Sequence, residues 1–94
     1  MTESIMQKTR ECLICHRTEP LHVHHVFFGN ANRAKSDKWG CVVYLCPEHH
    51  NMSNKGVHFN KELDLQIKQA CQIVWEERYG TREAFRAEFG RSWL

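Results

Sequence analysis

The stretch Cys41-Val42-Val43-Tyr44-Leu45-Cys46-Pro47-Glu48-His49-His50 holds the turning point of the chain, where a strand gives way to a helix. Cys41 to Leu45 is a short apolar run of strand-forming residues. Pro47 suits a first helical position, because its missing N–H would have had no partner there. At the junction Cys46 and His49 form a C-x2-H pair. Upstream, Cys12-Leu13-Ile14-Cys15 has C-x2-C spacing, a tight turn whose two thiolates can face one ion. The two pairs together supply the ligands of a closed, tetrahedral structural zinc site.

Such a site matters in a chain of 94 residues. A domain this small buries a modest share of its surface, so a metal commonly makes up the deficit. Structural zinc contributes an apparent binding free energy on the order of 10 kcal/mol, comparable with the whole net stability of a small domain. All seven histidines and four of the five cysteines fall between Cys12 and His58. No window reaches the roughly 18 apolar residues of a membrane span, and Met1 to Arg10 has no apolar core like that of a signal peptide. The expectation is an intracellular protein without a membrane partner, in which C-x2-C means metal or redox chemistry before it means a disulfide. Cys41 and Cys71 lie in apolar patterns and are expected to be buried thiols.

Outward from the junction, Leu21 to Phe28 (LHVHHVFF) is closed by Gly29-Asn30 and is expected to be a strand pairing antiparallel with Cys41–Leu45. Asn30 to Gly40 (NANRAKSDKWG) is polar and basic and is expected to be an exposed loop. Residues 1–11 are polar and expected to fray. Beyond His50, Gly56 interrupts the helical pattern and Asn60 can cap a new segment. From Lys61 to Tyr79, apolar residues recur at helical spacing, and Gly80 ends the pattern. Thr81 is expected to cap a last short helix carrying Ala84, Phe85 and Phe89. The fold class is therefore α+β, in one domain spanning 1–94, with a motif core at 12–58 and a helical region at 60–94.

Alternation along the first strand places His22 and His24 on one face and His25 on the other. A local twist near the strand end would bring the neighbours to one concave side, so that one could hold a metal while the other takes a proton. His50 directly follows the zinc-ligand candidate His49, so zinc would fix the start of the helix and aim His50 at the strand. Asn54, one turn beyond His50, or His58 could complete a second metal site. His58 is the stronger candidate, because imidazole binds a transition metal better than a carboxamide does.

C-x2-C, then His-His in a strand, then Leu-Cys-x2-His-His opening a helix resembles the His-Asn-His (HNH) endonuclease family with its ββα-metal fold. The resemblance covers residues 12–58, and the remainder, through His58-Phe59-Asn60-Lys61-Glu62-Leu63 and Phe89-Gly90-Arg91, is similar to small HNH proteins of bacterial prophages. It implies a ββα-metal core with a zinc-knuckle staple, followed by a long amphipathic helix and a short C-terminal helix. Carried onto this chain, it implies His24 as first metal ligand, His25 as general base and His50 as the helix-borne ligand. Cys12, Cys15, Cys46 and His49 match the structural zinc ligands, His49 replacing the more usual fourth Cys. Where the family commonly has an Asn before the second knuckle, this chain has Cys41, and Asn30 or Asn32 are the candidates to stand in.

The implied function is metal-dependent hydrolysis of DNA phosphodiesters in a bacterial or phage-infected cytoplasm, by a monomer or homodimer. One divalent ion (Mg²⁺, Mn²⁺, Ni²⁺ or Zn²⁺) would act on the phosphate, and an imidazole of ordinary pKa near 6.5 suits the proton transfer. Arg33, Lys35 and Lys38 would hold flanking phosphates. A formal net charge of +2 does not by itself mark a nucleic-acid binder. Two other readings compete. A non-catalytic zinc module that binds DNA or protein would use the histidines for packing, and a redox protein built on the cysteine pairs would need a βαβ context that the N-terminal region lacks.

Overall fold

The structure is a computed structural model and describes residues 3–51 and 56–94. Two short strands, β1 (His22–His25) and β2 (Val42–Leu45), pair antiparallel with His22 opposite Leu45 and His24 opposite Val43. A two-stranded sheet is marginal alone and requires packing from other elements. That packing comes from α1 (Asn30–Trp39), α2 (Pro47–His50), α3 (Lys61–Arg78) and α4 (Arg82–Phe89), with a 3₁₀ turn at Val57–Phe59 between α2 and α3. No described helix is long and apolar enough to cross a membrane.

The segment expected to be a loop, 30–40, is instead the helix α1. Its Ala, Arg and Lys residues favour helix, and Gly40 supplies the left-handed C-terminal residue, with its N–H turned back to the carbonyls of Asp37 and Ser36. The apolar spacing that normally reveals a helix is missing because the buried anchor of α1 is a serine. Ser36 is fully buried, and its hydroxyl accepts from the Phe27 N–H at 3.0 Å and donates to the Phe27 carbonyl at 2.6 Å. Both polar groups of Phe27 are thereby satisfied where no strand partner reaches them. β1 accordingly ends at His25, shorter than the expected Leu21–Phe28, and Phe27 turns into the core.

The described N-terminal residues are docked, where fraying was expected. The Ile5 N–H donates to the Gly40 carbonyl at 2.9 Å. Gln7 accepts from the Tyr44 N–H and donates to the Glu11 carbonyl, both at 2.8 Å, so this segment covers the outer edge of β2. In the C-terminal half the expected caps are in place: Asn60 Oδ1 accepts from Leu63 N–H and Thr81 Oγ1 from Ala84 N–H. α4 ends at Gly90 in the left-handed region.

The core is an aromatic cluster joining the hairpin to α3 and α4. Phe27 lies 5.2 Å from Phe85 and 4.7 Å from Phe89, and Trp75 lies 5.3 Å from Phe85, measured between ring centroids. Gln72, fully buried on α3, donates to Ser92 Oγ and accepts from the Trp93 N–H, which ties the C-terminal tail against the same core. The buried part of the apolar stripe on α3 is thus used within the chain. Cys41 and Cys71 are both fully buried, as expected, and a thiol contact between them together with burial pushes the Cys71 thiol far up.

The Ser36→Ala variant should lose about 1–3 kcal/mol of unfolding free energy, because two buried backbone groups at Phe27 lose their partner. Urea denaturation checks this, and an unchanged midpoint would contradict the role given to Ser36.

Candidate metal centres

Two groups of metal-ligating side chains lie on either side of α2. The first is Cys12, Cys15, Cys46 and His49, whose ligand atoms all lie within 4.8 Å of one another. Cys15 Sγ to Cys46 Sγ is 3.7 Å, Cys12 Sγ to His49 Nδ1 is 3.8 Å and Cys46 Sγ to His49 Nδ1 is 3.2 Å. Ligands at ordinary Zn–S and Zn–N lengths on a tetrahedron would be about 3.8 Å apart for two sulfurs and about 3.6 Å for sulfur and nitrogen. The Cys₃His cluster is therefore compatible with a metal ion such as zinc.

Local structure explains the convergence. The Cys12–Cys15 turn closes through His16 N–H to the Cys12 carbonyl and Cys12 N–H to the Arg17 carbonyl, with His16 at a positive φ of 65°. Leu13 N–H donates to the Tyr44 carbonyl at 2.8 Å, which pins the turn to β2 just before Cys46. At the other end, His49 N–H reaches the Cys46 carbonyl across the first turn of α2. Burial raises the Cys12 thiol, but hydrogen bonds from the backbone of Cys15, Cys46 and Ile14 outweigh it and bring the group down to about 6. Burial, together with the neighbouring Cys15 and Cys12, holds the Cys46 thiol above its ordinary value. A cation is the natural counter-charge for thiolates gathered this closely.

The second group is His24, His50 and His58. His24 is buried on β1, His50 is on α2 and His58 is in the 3₁₀ turn. His50 Nε2 lies 3.0 Å from His58 Nε2, and the ring of His24 is 5.3 Å from that of His50 and 5.1 Å from that of His58. Nitrogens bound about 2.1 Å from one ion would be about 3.0–3.4 Å apart at octahedral or tetrahedral angles, so the His50–His58 spacing suits a shared ion. His24 Nε2 is buried without a hydrogen-bond partner among the described residues, and a shared cation would satisfy it. Gly56 lets the chain return to this point. A Cβ there would collide with the His50 carbonyl, so only glycine allows so close an approach. Asn54, the alternative ligand, lies outside the described residues.

Both deeper histidines are held neutral, as ligation requires. Burial first, then the facing His50 and His58, lowers His24 to about 3. Burial, then His58 and His22, lowers His50 to about 4.

A cleft of about 200 Å³ opens over this group, lined by His24, His25, Phe28, Arg33, His50 and His58. His25 thus shares a cleft with His24, although the two are adjacent on a strand. Its Nε2 lies 3.6 Å from Asp37 Oδ1, an ion-pair distance that is long for a hydrogen bond. Asp37, one turn beyond Arg33 on α1, was not singled out from the sequence, because a loop reading of 30–40 assigns no common face to residues 33 and 37. Asn32 donates instead to the Phe89 carbonyl. Of the basic residues, Arg33 borders the cleft, whereas Lys35 donates to the Glu88 carbonyl and Lys38 pairs with the Glu88 carboxylate at 3.7 Å. Compared with protein-family models, curated proteins and solved structures, the chain gives no match.

Cys46→Ser should reduce bound zinc and lower the thermal midpoint together, as measured by metal analysis and melting of the same sample. Full zinc content or an unshifted midpoint would count against the cluster. The second group has a pH signature. Because His24 and His50 are held below the ordinary imidazole pKa near 6.5, the unfolded chain takes up protons that the metal-free group refuses, from about pH 6.5 down to about 4 at His50 and about 3 at His24. Stability supplied above that window is lost as pH falls through it. The stability difference between the protein and its His24→Leu variant should therefore shift against the unmodified chain on acidification, and a pH-independent difference would contradict the assignment.

Proposed function

We propose that the protein is a metal-dependent endonuclease of the HNH type, hydrolysing DNA phosphodiesters at the cleft over His24, His50 and His58. The observation that carries this reading is the convergence of three imidazoles with His25 and Arg33 on one open cleft, immediately beside a Cys₃His cluster. The order hairpin, then short helix, around that cleft suits a ββα-metal arrangement, with the helix α1 inserted in the hairpin. The HNH-like pattern in residues 12–58 supports the same reading.

His24, His50 and His58 would hold a divalent ion, which would supply Lewis-acid chemistry toward the phosphate. The residues of the chain account for the remainder. His25 carries Nε2 toward Asp37, so the Nε2–H tautomer is favoured and the lone pair on Nδ1 takes the proton of the attacking water. Asp37 orients that ring, the duty for which the family commonly uses Asn. The long contact at 3.6 Å is of a kind that tightens when substrate excludes water. Arg33 meets a phosphate oxygen at the rim of the cleft, and its fork of donors matches such a group. The rings of exposed Phe28 and His58 line the same opening with centroids 5.7 Å apart. A phosphate contact of this kind carries no sequence information, so weak sequence preference is expected.

His25→Ala should retain the fold and its zinc yet abolish nicking of supercoiled plasmid in Mg²⁺, Mn²⁺ or Ni²⁺, a drop of at least about a hundredfold for loss of a general base. Undiminished cleavage would remove His25 from the mechanism. No cleavage by the unmodified, zinc-loaded protein with any of these ions would favour the non-catalytic zinc module.

A further inference from the structure

His22 precedes His24 by two residues on β1, and alternation turns both toward α2. Its Nδ1 lies 2.9 Å from Nδ1 of His50, with the rings edge-on and their centroids 5.1 Å apart. The other nitrogen of His50, Nε2, faces Nε2 of His58 at 3.0 Å. His50 therefore stands between two imidazoles, each addressing a different nitrogen.

A neutral imidazole has one N–H and one lone pair. Two nitrogens 2.9 Å apart require one to donate and the other to accept. Without an ion, the single proton of His50 can occupy either nitrogen, and the contacts to His22 and His58 simply reverse direction. An ion held at Nε2 uses that lone pair, so the proton must be on Nδ1 and His22 must accept it.

We propose that His22 is a positioning residue of the second metal site, accepting a hydrogen bond from His50 Nδ1–H and thereby holding His50 in the tautomer and ring orientation that ligate. This inference rests on the reading of His24, His50 and His58 as a metal site. His22 is not itself a ligand: it meets the nitrogen of His50 opposite to the one facing His58, and it lies outside the group whose ligand atoms converge. Partners of this kind hold metal-bound imidazoles in many sites, most often through a carboxylate or a backbone carbonyl. Here the partner is a side chain on the neighbouring strand, so substitution can remove it without disturbing the backbone.

Mn²⁺ titration of the zinc-loaded protein by calorimetry, beside His22→Leu and His22→Asn, tests this. Asn places its carbonyl oxygen where imidazole carries Nδ1, so it keeps the acceptor, whereas Leu keeps bulk and removes it. His22→Leu should weaken the second ion about 10- to 100-fold, with His22→Asn within about threefold of the unmodified protein and zinc content constant in both. Equal weakening in the two variants, or none in either, would overturn the role of His22 while leaving the site intact. A protein that takes up zinc but no Mn²⁺ would overturn the site reading and this inference with it. Ring ¹⁵N shifts of the unmodified protein with Zn²⁺ at both sites give an independent check. His50 should carry its proton on Nδ1 and His22 on Nε2, and a bare His50 Nδ1 would refute the proposal.

Discussion

The adjacency of His49 and His50 on the four-residue helix α2 is the constraint on which the rest depends. His49 faces Cys12, Cys15 and Cys46, and His50 faces His24 and His58. A helix of one turn has too few hydrogen bonds to be stable alone. Its orientation comes from its two ends, with the cysteine cluster at one side and the β1 histidines at the other. A metal in the Cys₃His cluster would therefore do more than cross-link the N-terminal turn to the end of β2. It would set the direction in which His50 leaves the backbone, and with it the geometry of the neighbouring group.

The remainder of the fold gives that small hairpin something to rest on. β1 and β2 are four residues each, and their inner face is covered by α3 and α4 through the cluster of Phe27, Trp75, Phe85 and Phe89. α1 bridges the two regions. Its Ser36 binds Phe27 just beyond β1, its Trp39 packs on Trp75 and donates to Glu88 of α4, its Arg33 borders the cleft and its Asp37 lies against His25. The cleft side chains carried by β1, α1 and α2 sit on packed elements, which limits how far they can drift.

Much of this was legible in the chain because the signals were local. Two short-spaced ligand pairs, a Pro after Cys46, the caps Asn60 and Thr81, and the helical period from Lys61 each carry their own physical reason. The second strand and the last two helices lie close to where these signals place them. α1 was hidden because its buried anchor is Ser36, so it shows almost no apolar stripe, and its polar residues resemble loop composition. The N-terminal docking was hidden for a related reason, since Gln7 secures it by hydrogen bonds and not by apolar burial. At the site, strand alternation placed His22 beside His24, but their common partner His50 is 28 residues from His22, and no local pattern encodes that contact. Asp37 was missed with the helix that carries it.

The central claim is that two distinct metal sites share α2, one built on cysteines and one on histidines. The most direct measurement is a crystal structure of the protein grown with zinc and Mn²⁺, with anomalous difference maps collected at both absorption edges. The account predicts one zinc peak among Cys12, Cys15, Cys46 and His49 and a second metal peak among His24, His50 and His58. A cleft without a metal peak beside an occupied cysteine cluster, or a single ion bridging the two groups, would contradict it.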